Sequence, residues 1–212
     1  MTIDVASQLA ELGRRLRSGE TVSDDELDAV YPPAIRRMSS AHFTPVCVAR
    51  RAAELLVRAP SDVVLDVGAG AGKMCIVGAA TSGARFVGIE RRSHLVRVAE
   101  DAARRLGVLG ATFQEGDLDA IDPADLDAAY LYNPFAENIW SAREQLDHTV
   151  ELSEARFTRD VARARALLER TRAGTRVATY HGFGGEMPAC FGLATREWRR
   201  GGYLDLWVKA AA

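Results

Sequence analysis

The chain has 212 residues, 48% of them hydrophobic and 26% charged, with a formal net charge of -2. That length suits one compact domain whose core needs neither disulfides nor structural metals. The balance excludes disordered, collagen-like and fibrous chains, and it lacks the basic excess of a mainly electrostatic grip on DNA or anionic lipid, while leaving room for a local basic patch. Cys47, Cys75 and Cys190 are odd in number and never form C-x-x-C, which argues against a disulfide framework or a zinc site. The amino-terminal residues have no basic start followed by an apolar core, and no run approaches the ~18 uncharged apolar residues of a membrane span. The expectation is a cytoplasmic protein with no membrane partner.

Residues 1–60 read as a helical cap and 61–212 as the main domain, one compact unit. Val5, Leu9, Leu12 and Leu16 form one apolar helical stripe. Ser23 and Glu26 make a capping box for a second helix, which Tyr31-Pro32-Pro33 stops. A third helix is predicted to start with Thr44 as its N-cap and Pro45 at its first position, carrying Val46, Ala49, Ala52, Leu55 and Leu56 toward Pro60. From Ser61 the pattern changes to alternating strand and helix. VVLDV (63–67) is apolar and β-branched, as in a strand buried on both faces. A glycine-rich break and a helix near 75–80 follow, then a strand at 84–90 and a helix capped by Ser93 and stopped by Gly107. Further strands are predicted at 111–117, 126–135 and 175–183, with a long helix over 153–172. The tail pairs two strand patterns about Arg200-Gly201-Gly202. The expected fold is α/β: a three-layer sandwich with a mostly parallel seven-stranded sheet, a closing antiparallel hairpin and the helical cap.

Ligands of such sheets bind beyond the carboxyl ends of the strands, so strand ends are where chemistry is sought. Asp66-Val67-Gly68-Ala69-Gly70-Ala71-Gly72 follows the first strand. A phosphate-binding P-loop would need glycine where Val67 stands and a hydroxyl where Met74 stands. A dinucleotide fingerprint fits weakly, because the third glycine comes one residue early and Lys73 takes its place. The remaining pattern is D-x-G-x-G-x-G, with a second acid, Glu90, ending the next strand.

With Asp117 in EGDL and Asn133-Pro134-Phe135 after the fourth strand, this ordered set resembles the class I, Rossmann-like methyltransferases that use S-adenosylmethionine, over about residues 40–210. Asp66, Gly68, Gly70 and Gly72 match the family's first, cofactor-binding motif, and the resemblance implies that Asp66 lies near the amino-acid end of that cofactor. It places Glu90 on the ribose hydroxyls, Asp117 near the adenine amine, and Arg91 and Leu118 beside the adenosine. Carboxylates suit the role, since the cofactor presents N–H and O–H donors and no pyrophosphate. Thr44, in His42-Phe43-Thr44-Pro45, matches a turn that methyltransferases of base amines place at the methionine end. Lys73 is read either as a loop-lining or as a solvated side chain.

Asn133 is the candidate catalytic residue, since the family's related turn accepts an amine's protons and aims its lone pair at the methyl group. Here the second proline of that turn is missing and Ala136 follows Phe135. The motif series is also similar to the non-SET histone lysine methyltransferases. A lysine substrate must lose its proton before attack, and an aromatic, desolvated channel favours that. Tyr31, Phe43, Tyr132, Phe135, Trp140, Tyr180 and Phe183 are candidates for the channel, with Tyr132, Phe135 and Trp140 the chosen substrate contacts. The irregular stretch 136–152, carrying Glu137, is a candidate lid, and His181 a candidate general base. His94 and His148 receive no role, and the Arg-rich helix 153–172 reads as a solvated face. The expected activity is methyl transfer from S-adenosylmethionine to an amine of a protein lysine or a small molecule. Nucleic-acid bases, small-molecule oxygens and non-catalytic cofactor binding are the alternatives.

Overall fold

The computed structural model describes residues 4–211. The amino-terminal stripe folds as α1 (Val5–Arg17), burying Leu9, Leu12 and Leu16. Each such leucine contributes roughly 1.5–3 kcal/mol on full burial. Ser23 and Glu26 cap α2 (Asp24–Asp28) reciprocally, as the sequence predicts. Two four-residue helices, α3 (Pro33–Arg36) and α4 (Ser39–His42), lead to α5 (Val46–Leu56). They are too short to show a period, so the sequence gives no sign of them.

The alternating half comprises β1 (Val63–Val67), α6 (Lys73–Ser82), β2 (Arg85–Glu90), α7 (Ser93–Leu106), β3 (Ala111–Glu115), β4 (Ala128–Leu131), α8 (Glu154–Arg170), β5 (Arg176–Tyr180), β6 (Phe191–Arg199) and β7 (Gly202–Lys209). The sheet order is β3-β2-β1-β4-β5-β7-β6, with β7 antiparallel to both neighbours and the other neighbouring pairs parallel. This is the seven-stranded, doubly covered sheet with a closing hairpin that the sequence predicts. Arg200 (φ +43°) and Gly201 (φ +90°) make the two-residue hairpin turn, both with the positive φ that a type I′ turn requires.

The core lies in two layers, because successive strand residues point to opposite faces. Val64, Phe86, Ala128 and Tyr130 pack under α1, α5, α6 and α7. Leu65, Val67, Ile89, Leu131 and Phe183 pack under α8. Helix α1 crosses α7 so closely that a Cβ on Gly13 would stand 1.8 Å from the Leu106 carbonyl oxygen. Arg17 then caps α7 by donating to the carbonyls of Leu106 and Gly107.

Several boundaries differ from expectation: β3 ends at Glu115 and β5 at Tyr180, each short of the predicted strand, and three further differences bear on the site. The N-cap position of α5 is Pro45, not Thr44, because the Thr44 hydroxyl is bonded to that of Tyr130. Helix α7 takes Arg92 as its N-cap residue and Ser93 as its first helical residue, with no side-chain cap. Strand β4 stops at Leu131, where the chain turns out of the sheet toward Asn133 at φ +40°.

Candidate active site

Strands β1 and β4 are neighbours, but their chains leave the sheet toward opposite faces, opening a crevice at their carboxyl ends. The two exits meet there: a Cβ on Gly68 (φ +72°) would lie 3.0 Å from the Cβ of Pro134. One on Gly70 (φ +55°) would lie 3.1 Å from the Phe43 ring, which roofs the loop. Conformation favours glycine at both positions, and a Cβ at either would also crowd its neighbour by a few tenths of an ångström.

A cavity of about 290 Å³ occupies the crevice, at the lower end of the range for small-molecule sites. It brings together Gly68, Gly70, Glu90, Arg91, Asp117, Leu118, Tyr132, Asn133, Phe135, Trp140 and His181, eleven of the residues singled out in the sequence. Gly72, Thr44 and Asp66 do not line it. Gly72 serves packing instead, with a Cβ there falling 2.5 Å from the Phe113 ring. Thr44 and Asp66 border a small recess beside the cavity, of about 30 Å³. Of the seven candidate aromatics, Phe43, Tyr132, Phe135 and Trp140 reach the cavity, while Tyr31, Tyr180 and Phe183 belong to the core.

Glu90 is buried, and its two oxygens accept from the backbone N–H groups of Gly70 (3.0 Å) and Arg92 (2.9 Å). A carboxylate has about four acceptor sites, so two remain for a pair of hydroxyls. Asp117 is held by Arg156, at 2.9 and 3.0 Å from its two oxygens. Arg163 and Asp160 of the same helix line the cavity, so the Arg-rich helix is part of the site and not only a solvated face. Asp66 is wholly buried against the Cys75 thiol (3.4 Å), and burial pushes its carboxyl up to about 7. Its raised value comes from desolvation, with the Glu90 charge adding in the same direction. Lys73 is not solvated: it borders the same small recess and is buried in ion pairs with Asp24 (2.6 Å) and Asp28 (2.8 Å).

Asn133 holds its left-handed conformation through its N–H, which donates to the Gly182 carbonyl (2.9 Å). That bond ties the β4 exit to the β5 exit and sets Asn133 beside His181 and Tyr132, whose rings lie 5.7 Å apart. Across the cavity the His42 ring stands 5.7 Å from Trp140, and partial burial lowers the His42 pKa. The sequence reading misses Arg92, although it lies two residues beyond Glu90. Its guanidinium bonds Glu137 and Asp147, and His94 reaches Asp147 as well. Only the pairing of Arg91 with Arg92 hints at it; both line the cavity, and sequence spacing does not show that Arg92 meets residues 137–147.

Residues 59–135 match the methyltransferase domain. An RNA methyltransferase from Salinibacter ruber, solved with S-adenosyl-L-homocysteine, is 26% identical over 80% of this chain and 94% of that one, with a TM-score of 0.59. TrmN from Thermus thermophilus (17% identity, 78% and 49% covered, TM-score 0.59) shares the fold. So does an S-adenosylmethionine-dependent O-methyltransferase from Thermotoga maritima (17%, 85% and 72% covered, TM-score 0.51). The search of curated proteins finds no match. The sheet order and the crevice at β1 and β4 are those of the Rossmann-like methyltransferase fold. The chain carries a class I methyltransferase domain and is an S-adenosylmethionine-dependent methyltransferase. These comparisons lend no support to the similarity with non-SET histone lysine methyltransferases.

Proposed function

We propose that the methyl group passes to a nitrogen, the amine of a protein lysine or another amine. The observation that carries this reading is the strained Asn133 turn, whose φ of +40° is enforced from both sides, by Gly182 and by Pro134 against Gly68. A left-handed conformation costs most residues roughly 1–3 kcal/mol and costs Asn less, so Asn is a residue that can hold this turn. The strain sets a neutral amide at the cavity wall beside Tyr132, Phe135 and Trp140. Its oxygen accepts an N–H of the acceptor, and the surrounding rings exclude water and favour the uncharged amine.

S-adenosylmethionine supplies a methyl group already activated on a sulfonium, so positioning and dryness are what the chain contributes. Glu90 and the Gly68–Gly70 loop orient the nucleoside end. Asp66 would answer the charge of the amino-acid end, and Asp117, fixed by Arg156, would accept from the adenine amine. The acceptor nitrogen would receive the methyl carbon, and the electron pair of the broken C–S bond would stay with sulfur. The surplus proton on nitrogen then leaves to water or to His181.

A nucleic-acid base amine is the second reading, favoured by the 26% identity to an RNA methyltransferase. Incubation with methyl-labelled cofactor and a fractionated lysate tests the proposal. Label in an amine of protein, small molecule or base supports nitrogen transfer, and label only in ethers or esters overturns it. Asn133→Ala keeps S-adenosylhomocysteine affinity within about threefold and lowers turnover by roughly 100-fold, the scale of a lost positioning group.

A further inference from the structure

The stretch after Phe135 runs through a 3-10 turn at Ala136–Ile139 and then irregularly to the start of α8. Glu137, Trp140 and Leu146 from this stretch line the cavity, so it forms one wall of the site. Its polar attachment is narrow. Among the described residues, the hydrogen bonds and ion pairs that join residues 137–150 to elements beyond the adjoining turn at 133–136 come from Arg92 and His94 alone. Arg92 is buried, donating from Nε to Asp147 (2.9 Å) and from Nη2 to Glu137 (2.9 Å). The same Glu137 carboxylate accepts the Leu146 N–H, closing the stretch into a loop on that one guanidinium. On its other side Arg92 belongs to the cofactor wall: its backbone N–H donates to Glu90, whose Oε1 lies 4.0 Å from Nη1.

We propose that Arg92 is a positioning residue that latches the 137–147 strap over the cavity and links the Glu90 carboxylate to the wall that meets the acceptor. Describing that wall as the acceptor's rests on the reading given under Proposed function. A planar fork is what the task needs, because one guanidinium reaches two carboxylates at once while a lysine ammonium is a single point charge. Binding at Glu90 and closure of the strap then stabilise each other, and opening of the strap gates ligand release.

The test uses the full chain, with S-adenosylhomocysteine as the probe. Arg143 is exposed in the middle of the strap and reports its opening through tryptic cleavage. Arg92→Lys is expected to speed cleavage after Arg143 by about tenfold, through a larger open population. It also speeds S-adenosylhomocysteine dissociation, while the melting temperature stays near that of the wild type. Glu137→Gln moves both rates the same way by a smaller factor, and in the wild type the bound ligand slows cleavage. The proposal is overturned if Arg92→Lys cleaves and releases ligand at wild-type rates, or if cleavage speeds up while release does not, which would make Arg92 a brace only. Neither measurement uses a methyl acceptor. Label found on oxygen would therefore defeat the nitrogen reading and leave the latch standing. Failure of the wild type to bind S-adenosylhomocysteine would defeat both.

Discussion

Asp66 allows the electrostatics of the site to be tested through pH. Burial raises its carboxyl from 3.8 to about 7, with the Glu90 charge adding in the same direction. About three pKa units correspond to ~4 kcal/mol between the protonation states. The sign follows from linkage: the folded chain holds a proton on Asp66 between about pH 4 and 7 that the unfolded chain has released. This group's contribution to stability is therefore complete below pH 4 and is lost as pH rises through 7. An ammonium placed beside it reverses the preference. S-adenosylhomocysteine, which keeps the amino-acid end, should displace that proton, so its affinity rises by up to about tenfold per pH unit between pH 5 and 7. Calorimetry in two buffers of different ionisation enthalpy reads the proton release directly. Asp66→Asn abolishes both the buffer dependence and the slope, and the unliganded variant melts no lower than the wild type at pH 8. Equal heats in the two buffers at pH 6, with an affinity flat in pH, would refute the reasoning.

Gly13→Ala forces a Cβ to within 1.8 Å of the Leu106 carbonyl oxygen and must push α1 off α7. Thermal melting should show a loss of roughly 1–3 kcal/mol, the usual cost of overpacking, with ligand affinity little changed. Lys73→Met leaves the buried Asp28 without its cation and Asp24 with Arg200 alone. Denaturant unfolding should show a loss of about 3–5 kcal/mol, as for other broken buried ion pairs.

Much of the frame could be read from the sequence because its signals are local. The β-branched run at 63–67, the glycines after it and the Arg200-Gly201 turn each state their conformation in a few residues. Glu90, Asp117 and Asn133 are legible because each ends a strand or follows its end by two residues, and parallel strands bring those ends together. What stayed hidden depends on long-range pairing. Lys73 looks like a solvated loop residue until α2 folds back to present Asp24 and Asp28. Arg156 and Arg163 share a helix with acids at helical spacing, which masks the fact that one face of that helix reaches the cavity. Thr44 before Pro45 has the form of a helix cap, yet the buried Tyr130 hydroxyl 86 residues away takes its side chain. Arg92 carries no motif, and its role exists only because residues 137–147 return to it.

The most direct measurement is the titration of S-adenosylhomocysteine into the wild type and into Glu90→Gln. The amide keeps the shape of the side chain but replaces one acceptor oxygen with a donor, so a hydroxyl pair finds one partner fewer. Saturable binding by the wild type and at least about a tenfold loss in the variant are expected, since a hydrogen bond to a charged group contributes ~1.5–3 kcal/mol. Equal affinities for the two proteins would contradict this expectation.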